Sequence, residues 1–459
     1  MAPPVVHGGA IADRVCHEVA LRLARRRRVL VAFSGGLDST VLLDALVSLR
    51  SRQIPDLTLR AIYIHHGLSV HADEWDAHCR SQCRMRRVDY LGVKVRPDPA
   101  GGGIEAAARA ARYQALQQAL LPEETLLTAQ HLDDQSETLL LALKRGSGPA
   151  GLSAMAVSSP FGRYELLRPM LALSRGQLSA YAQSRGLRWI EDESNQDDRF
   201  DRNFLRLRIL PVLNRRWPHF SQAAARSAQL CAEQEALLDE LLGESLAQLI
   251  MPDNSLNLPP MMEMGAARRG ALLRRWLAAA GVLMPSRDGL ERIWQEAALS
   301  RRDADPQMQL GDRQIRRFQQ RLFILPRRLP SLKGVVIPWP DCGKPLALPD
   351  GLGALCVAHG GQEVRAPTTA ERVSVRFSAG GVQHIVGRQR GRAMKKIWQE
   401  LGIAPWQRER TPLLYYDERL IMAPGLFVAR EGQVREGEAA WSILWVPQRE
   451  GAAEDAAGR

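Results

Sequence analysis

Two short stretches of this chain carry residue types and spacings suited to chemistry on an anion. The first is Ser34-Gly35-Gly36-Leu37-Asp38-Ser39-Thr40, between the apolar run Val29–Phe33 and a helical pattern over Val41–Leu49. A strand that turns through glycines into a helix N-terminus aims backbone N–H groups outward, and the helix dipole there favours negative charge. Gly35 and Gly36 let a phosphate come close to the backbone, and Ser34, Ser39 and Thr40 add hydroxyl donors. Asp38 is the odd member, since a carboxylate repels phosphates unless it holds a bridging cation or orients an amide; it reads as Mg²⁺-linked or loop-orienting. A Ser/Asp-capped helix is the plain alternative, and two adjacent glycines between strand and helix argue against it.

The second stretch is Gln130-His131-Leu132-Asp133-Asp134-Gln135-Ser136-Glu137-Thr138, after the apolar run Leu126–Ala129. Asp133 and Glu137 are spaced i, i+4 and Asp134 and Glu137 i, i+3, so they share a face at the start of a helix. The dipole explains one or two acids in a first turn. A histidine followed by three acids at a strand end points further, to a Mg²⁺ cluster with a base for an incoming amine. His65, His66, His71 and His78 with Cys79 and Cys83 raise zinc as an alternative, but their spacings fit no standard site. Gly146-Ser147-Gly148-Pro149-Ala150-Gly151 matches a dinucleotide-loop string, yet it follows a helical pattern and contains Pro149, so no nicotinamide site is expected there.

The elements that must position these residues alternate. Val29–Phe33, Leu59–Ile64, Leu91–Val95 and Leu126–Ala129 are short apolar runs bounded by turn signals and read as strands; Val41–Leu49, Glu105–Leu120 and Glu137–Leu143 read as helices between or after them. That rhythm predicts a parallel sheet with flanking helices, in which ligands sit beyond the carboxyl ends of the strands. From about residue 216 to 325 long helical stretches take over, including Ala224–Leu249 and Ala266–Ala280. The Pro-rich passage from Pro326 to Pro349 reads as a boundary. Beyond it, strand-like Val373–Phe377 and Leu413–Tyr416 surround one basic helix, Arg392–Leu401, giving a small α+β domain. The expected divisions are 1–215, 216–330 and 331–459. The last ten residues, Glu450–Arg459, read as frayed.

At 459 residues the chain exceeds what one hydrophobic core usually supports, and its 45% hydrophobic content suffices for ordinary cores. No run approaches the roughly 18 consecutive apolar residues of a membrane span, and Met1–Ala10 shows no secretory signal. Six scattered cysteines without a Cys-x-x-Cys pair fit a reduced, cytoplasmic protein. Lys plus Arg number 62 against 50 Asp plus Glu, a net +12 that favours a polyanionic partner. Arg25–Arg28, just before the first strand, could contact RNA, but as a short charge run it reads first as a solvated face.

Ser-Gly-Gly-x-Asp-Ser resembles the pyrophosphate loop (PP-loop) of the ATP pyrophosphatases, and the likeness extends to the tRNA(Ile)-lysidine synthetase family. His65-His66-Gly67-Leu68 is similar to that family's second motif. Gly103-Ile104-Glu105 through Ala108-Arg109 to Arg112-Tyr113 is similar to its Gly-x-Glu-x-x-Ala-Arg-x-x-Arg-Tyr helix. Gln130–Thr138, Arg145-Gly146-Ser147-Gly148, Arg168-Pro169 and Asp192-Glu193-Ser194-Asn195 with Arg202-Asn203 and Arg206 resemble later motifs of the catalytic domain. Lys395-Lys396-Ile397-Trp398 through Pro405-Trp406-Gln407-Arg408 resembles the tRNA-binding end. Gln130 stands where the family usually has a histidine, and Ala404 where a second proline is common.

The resemblance implies a PP-loop α/β catalytic domain, a helical middle domain for the substrate tRNA and a C-terminal tRNA-binding domain. The implied reaction uses ATP and Mg²⁺ to adenylate the wobble cytidine of the CAU-anticodon isoleucine tRNA. Free lysine then displaces AMP. ATP would meet Ser34, Gly35, Gly36, Leu37, Asp38 and Ser39. Catalysis would fall to Asp38, His131, Asp133, Asp134 and Glu137, with Asp38 and Asp134 on the metal. Any of the three clustered acids could take the amine's proton. Arg109, Arg112, Arg202, Arg206, Lys395, Lys396 and Arg408 are the expected phosphate or tRNA contacts. No membrane partner is expected, and a homodimer is left open. A tRNA thiolase of the same superfamily would share the loop but need paired cysteines, of which only Cys79 and Cys83 lie close. A small-molecule amidating enzyme would not explain the basic C-terminal domain, and a non-catalytic RNA binder would not need the acids.

Overall fold

The computed structural model describes residues 8–67, 71–96, 104–301 and 304–447, with the backbone alone for residues 8 and 104–106. Leu68, Gly103 and the tail Glu450–Arg459 therefore lie outside the described residues, as does the side chain of Glu105. The chain forms two compact units, residues 1–241 and 242–459, and passes from one to the other within the helix Phe220–Leu249.

In the first unit, α1 (Gly8–Leu23), β1 (Arg28–Ala32), α2 (Leu37–Arg52), β2 (Thr58–His65), α3 (Ala72–Met85) and β3 (Asp89–Lys94) follow in order. Next come α4 (Ile104–Ala119), β4 (Thr125–Leu127), α5 (Leu132–Lys144), α6 (Pro149–Leu152), β5 (Ser158–Phe161), β6 (Tyr164–Leu167) and α7 (Arg175–Ser184). The sheet order is β3-β2-β1-β4-β6-β5, parallel throughout except for the edge strand β5. The hairpin β5–β6 is an addition to the four strands expected.

Side chains of β1 alternate between two cores. Val29, Val31 and Phe33 pack with α1, α2 and α7 on one face, while Leu30 and Ala32 pack with Leu116, Leu120 and Leu166 on the other. Burial on both faces is why β1 reads as an unbroken apolar run, whereas no residue of the edge strand β3 is buried. Each fully buried Val or Leu contributes roughly 1.5–3 kcal/mol, so the strand feeding the glycine loop is held firmly.

One helix starts earlier than the periodicity suggests. The helix expected near Val41 begins at Leu37, while Asp133 and Asp134 lie, as their spacing suggested, in the first turn of the helix that begins at Leu132, ahead of the apolar pattern from Glu137. Asp38 and Ser39 carry no apolar period and hide the start of α2. Both first turns fall at strand ends, in reach of a ligand.

In the second unit the helix Ala266–Ala279 and the end of Phe220–Leu249 pack on an antiparallel sheet of four strands. Its order is Leu256–Asn257, Arg321–Pro326, Arg313–Phe318, Gln307–Leu310. The helical middle of the chain thus carries a sheet that the sequence pattern did not signal. Beyond the Pro-rich passage lie a five-stranded sheet, centred on Leu413–Tyr416, and a three-stranded one centred on Ala354–Arg365. The basic helix spans Met394–Glu400.

The helices behind the loop are locked by one buried acid. Asp44 of α2 accepts from Tyr181 Oη at 2.9 Å and Arg185 Nε at 3.0 Å, both on or just after α7, and pairs with Arg86 at 3.6 Å. Removing one member of a buried charged set leaves the others unpaired, at a cost of roughly 3–5 kcal/mol. Asp44→Ala is expected to destabilise the first unit by about 3 kcal/mol, read as a lower midpoint in urea unfolding; an unchanged midpoint would mean that the network does not support the fold.

Candidate active site

The glycine loop leaves β1 through Phe33, whose N–H donates to Ile62 O at 2.8 Å. Gly35 follows at φ +78°, a region that L side chains avoid, and a Cβ there would stand 2.7 Å from Ile190 Cδ1 and 2.9 Å from Cys79 Sγ. Both conformation and space therefore demand glycine. Its carbonyl accepts from Ile190 N at 2.8 Å and Thr40 Oγ1 at 3.3 Å. Gly36 then takes the N-cap position of α2 without any side-chain cap. The first-turn N–H groups of α2 are thus left without a side-chain acceptor, beside the hydroxyls of Ser34 and Ser39, which lie 3.1 Å apart.

β1 pairs with β4, Val31 opposite Leu127, so the loop leaving β4 lies beside the glycine loop. A cavity of about 350 Å³ opens between them. Ser34, Gly36, Leu37, Asp38 and Ser39 line one side; Thr128, Ala129, Gln130 and Asp134 line the other. Arg112, Arg175, Arg202 and Arg206 add four guanidinium groups, and the segment Trp189–Asp192 closes a wall. Thr128 Oγ1 and Gln130 Oε1 are buried and make no hydrogen bond among the described residues.

The acidic stretch separates by role. Asp134 reaches the cavity, accepts from the His131 N–H at 2.9 Å and binds Arg206 Nη2 at 3.0 Å. Glu137 is fully buried behind it and receives both Arg206 Nε (2.7 Å) and Nη2 (3.1 Å). Burial pushes the Glu137 carboxyl up from its ordinary value, with Arg206 opposing. Asp133 accepts from the backbone N–H of Arg175 at 2.7 Å, at the start of α7.

His131, fully buried, sits among these groups, with carboxylate oxygens of Asp38, Asp133 and Asp134 at 3.6, 3.7 and 3.5 Å. These distances describe charge attraction, not hydrogen bonds. Burial alone would lower its pKa; Asp38, then Asp134 and Asp133, outweigh that and raise it. For Asp38 burial again works against charge, but His131, Arg175 and Arg206 prevail and hold it below the usual carboxylate range. Arg175 Nη1 lies 3.1 Å from Asp38 Oδ2.

Arg206 reaches this cluster from an irregular helix. After the short turn Asp201–Phe204, residues Leu205–Ile209 form a π-helical turn, before α-helix resumes at Leu210–Arg216. Pro211 has no N–H to donate into the preceding turn, which disfavours a regular ladder there. Arg202 follows the same inner face, binding Thr138 Oγ1 at 3.1 Å and lying 3.7 Å from Glu137.

The other cations expected to meet phosphate or tRNA are elsewhere. Arg109 is exposed and stacks on Tyr113, 4.9 Å from the ring centre, away from the cavity lining. Lys395 and Lys396 are exposed in the second unit, and half-buried Arg408 donates to Ile403 O at 3.0 Å. Arg175 and the wall residues Trp189–Glu191 were not anticipated, whereas Asp192 belongs to a motif already singled out. The Ser174–Gln177 capping box marks where α7 starts, but nothing local says that this start meets Asp38.

The histidine–cysteine set does not assemble. Among the described residues no group of three or more His, Cys, Asp or Glu side chains is arranged to hold a metal ion unaided. Cys79 and Cys83 are core residues, and burial pushes both thiols up, Cys83 to about 12. Neither offers a thiolate for sulfur transfer. Gly148 caps a short helix that follows α5, so the Gly146–Gly151 string is a helix–helix turn.

Family models agree with this geometry. A PP-loop domain matches residues 11–213, a TilS substrate binding domain residues 256–323, and a TilS substrate C-terminal domain residues 373–445. The tRNA(Ile)-lysidine synthase of Pectobacterium atrosepticum is 59% identical over 433 residues, covering 94% of this chain and 98% of its own. The chain belongs to the tRNA(Ile)-lysidine synthase family. The like-named protein of Serratia proteamaculans is 58% identical over 94% of this chain and 99% of its own, and that of Edwardsiella ictaluri 58% over 93% and 97%. The cavity lies within the part matched by the family's PP-loop domain.

A pH response follows from His131. Its folded-state pKa is raised, so its stabilising attraction is complete below the unfolded value of about 6.5 and fades as pH rises through the folded one. Asp38, whose pKa is lowered, acts oppositely: its contribution is present above about 3.9 and lost on acidification. Stability of the first unit is expected to fall as pH rises above about 6.5 and through the raised pKa of His131, and His131→Gln to flatten that slope. Parallel slopes in urea titrations of the two proteins would contradict the assignment.

Proposed function

We propose that this chain joins the ε-amine of free lysine to the 2-position of the wobble cytidine in the CAU-anticodon isoleucine tRNA. ATP would be consumed to AMP and pyrophosphate through an adenylated tRNA. The observation that carries this reading is the meeting of the glycine loop and Asp134 in one cavity with four arginines, in a chain of the lysidine synthase family.

In this reading the pyrophosphate of ATP lies on the first-turn N–H groups of α2 and the hydroxyls of Ser34 and Ser39. Arg112 and Arg202 flank the α-phosphate. Arg112 makes no ion pair among the described residues, and burial lowers its pKa, so an incoming anion would relieve its desolvation. The cytidine 2-oxygen attacks the α-phosphorus and pyrophosphate leaves. The lysine nitrogen then adds at C2, gives up a proton, and AMP departs with the former 2-oxygen. Holding both partners in line supplies most of the advantage.

Of the three acids, Asp134 is the one we assign to receive the amine's proton, because it faces the cavity while Glu137 is sealed behind Arg206 and Asp133 caps α7. Glu137 and His131 are positioning residues. Asp38 and Asp134 also fit Mg²⁺: both present carboxylates close to one imidazole nitrogen, balanced by cations, and Mg²⁺ takes one or two carboxylates plus phosphate oxygens. A bound Mg²⁺ would neutralise charge building on the leaving pyrophosphate. The cytoplasm is the implied compartment, where ATP, lysine and tRNA meet; no helix among the described residues is long and apolar enough to cross a membrane.

Two outcomes test this reading. Asp38→Asn and Ser39→Ala are expected to abolish lysidine formation while tRNA binding persists. Asp134→Asn should slow turnover at least ~100-fold and accumulate adenylated tRNA that lysine does not resolve, as read by mass spectrometry of the nucleosides. Wild-type rates in all three variants would sink the site. For the second unit, Lys395→Ala with Lys396→Ala is expected to weaken tRNA binding and flatten its salt dependence by roughly 0.9 for each phosphate no longer neutralised; an unchanged slope would remove these lysines from the RNA surface.

A further inference from the structure

The helix that supplies Arg206 has two faces, and only one is used by the site. Stepping by four residues along the inner face gives Arg202, Arg206 and Leu210: two cavity arginines and a buried leucine. Outside those steps lie Phe200 at the N-cap, Phe204, Arg208, Val212 and Arg216, none of which lines the cavity; they make up the segment's outer side. All five are exposed; Phe200, Phe204 and Val212 keep 47%, 44% and 62% of their surface in water. Trp217 follows at 54% exposure, its ring stacked on Phe220 with centroids 6.5 Å apart. None of these apolar residues joins a hydrophobic core of the unit.

The charges along this face are cationic. Arg208 is partnered by Asp198 at 2.9 Å, whereas Arg215 and Arg216 are exposed and make no ion pair among the described residues. Exposed flat aromatics interleaved with guanidinium groups suit single-stranded nucleic acid, whose bases stack on rings and whose phosphates meet arginines. A lipid surface would ask for a continuous apolar stripe, and a folded protein for a broader apolar patch.

Resting on the function proposed above, we propose that the outer face from Phe200 to Trp217 holds the unpaired nucleotides flanking the reacting cytidine. A base attacked at C2 must leave its loop stack to enter a cavity of about 350 Å³. Its neighbours then expose faces that had been covered. The helix takes the reacting base on its inner side, beside Arg202 and Arg206, and its neighbours on its outer side, where the rings replace the stacking they gave up.

The test uses the full chain and an RNA stem-loop carrying the anticodon loop. Phe204→Ala and Trp217→Ala should each weaken binding about 5- to 100-fold, raising KM for tRNA more than they lower kcat. Their salt slope should stay at the wild-type value, because no charge is removed. Phe204→Tyr and Trp217→Phe, which keep a ring, should restore affinity, and ATP should still raise the melting temperature of every variant. Arg216→Ala should instead flatten the slope by roughly 0.7 if one single-strand phosphate is released. Alanine variants that bind the stem-loop like wild type would overturn the inference. So would variants that keep RNA affinity but change sedimentation, which would make the face a protein contact. If the wild-type chain forms no lysidine yet its stem-loop binding follows this pattern, the functional reading fails and the RNA face stands.

Discussion

Parallel pairing of β1 with β4 is the constraint from which the site follows. Val29, Leu30 and Val31 lie opposite Thr125, Leu126 and Leu127, so the carboxyl ends of the two strands fall side by side. The chain runs β1, β2, β3 outward on one side and β4, β6 on the other, so the connections diverge and leave a crevice at that point. One loop brings uncapped N–H groups and hydroxyls; the other brings His131, Asp133 and Asp134 to the start of α5. Neither element is a site alone, since each is an ordinary helix N-terminus when considered by itself.

Bringing four acids into one partly buried place carries an electrostatic cost that the surrounding cations offset. Asp134 and Glu137 share Arg206, Asp38 meets Arg175, and His131 stands between three carboxylates with a raised pKa. Arg175 and Arg206 arise on α7 and on the π-helical segment, and His131 just before α5, so the charge balance ties those elements to the glycine loop. An unpaired buried carboxylate would be driven to bind a proton or to move toward water. The sharing of partners therefore orients Asp134 toward the cavity and keeps Glu137 behind it.

In the second unit, part of the stretch that resembles a tRNA-binding end has a structural duty. Trp406 lies edge-on to Phe323 and Phe318, with ring centres 5.1 and 6.0 Å away, and Arg316 stacks 4.7 Å over it. The turn Pro405–Arg408 is thereby fastened to the four-stranded sheet, and Arg408 is used on the backbone of Ile403. Lys395 and Lys396, on an exposed face of Met394–Glu400 whose other face buries Ile397 and Trp398, remain available to a polyanion.

The strands buried on both faces, the glycine turn at Gly35–Gly36 and the basic surplus were all legible along the chain, because each is written in local composition or in a period of two or 3.6 residues. Motif likeness also indicated the family over both ends of the chain. The helix start at Leu37 was hidden, since a polar first turn leaves no apolar period to read. The hairpin β5–β6 and the sheet across residues 256–326 were missed because short strands among helical patterns give weak alternation. Folding alone settled which of three neighbouring acids faces the cavity, that Arg175 meets Asp38, and that Cys79 and Cys83 are core. Those outcomes depend on contacts between residues up to 137 positions apart, and the order of residues along a chain does not encode which distant cation a buried carboxylate will find.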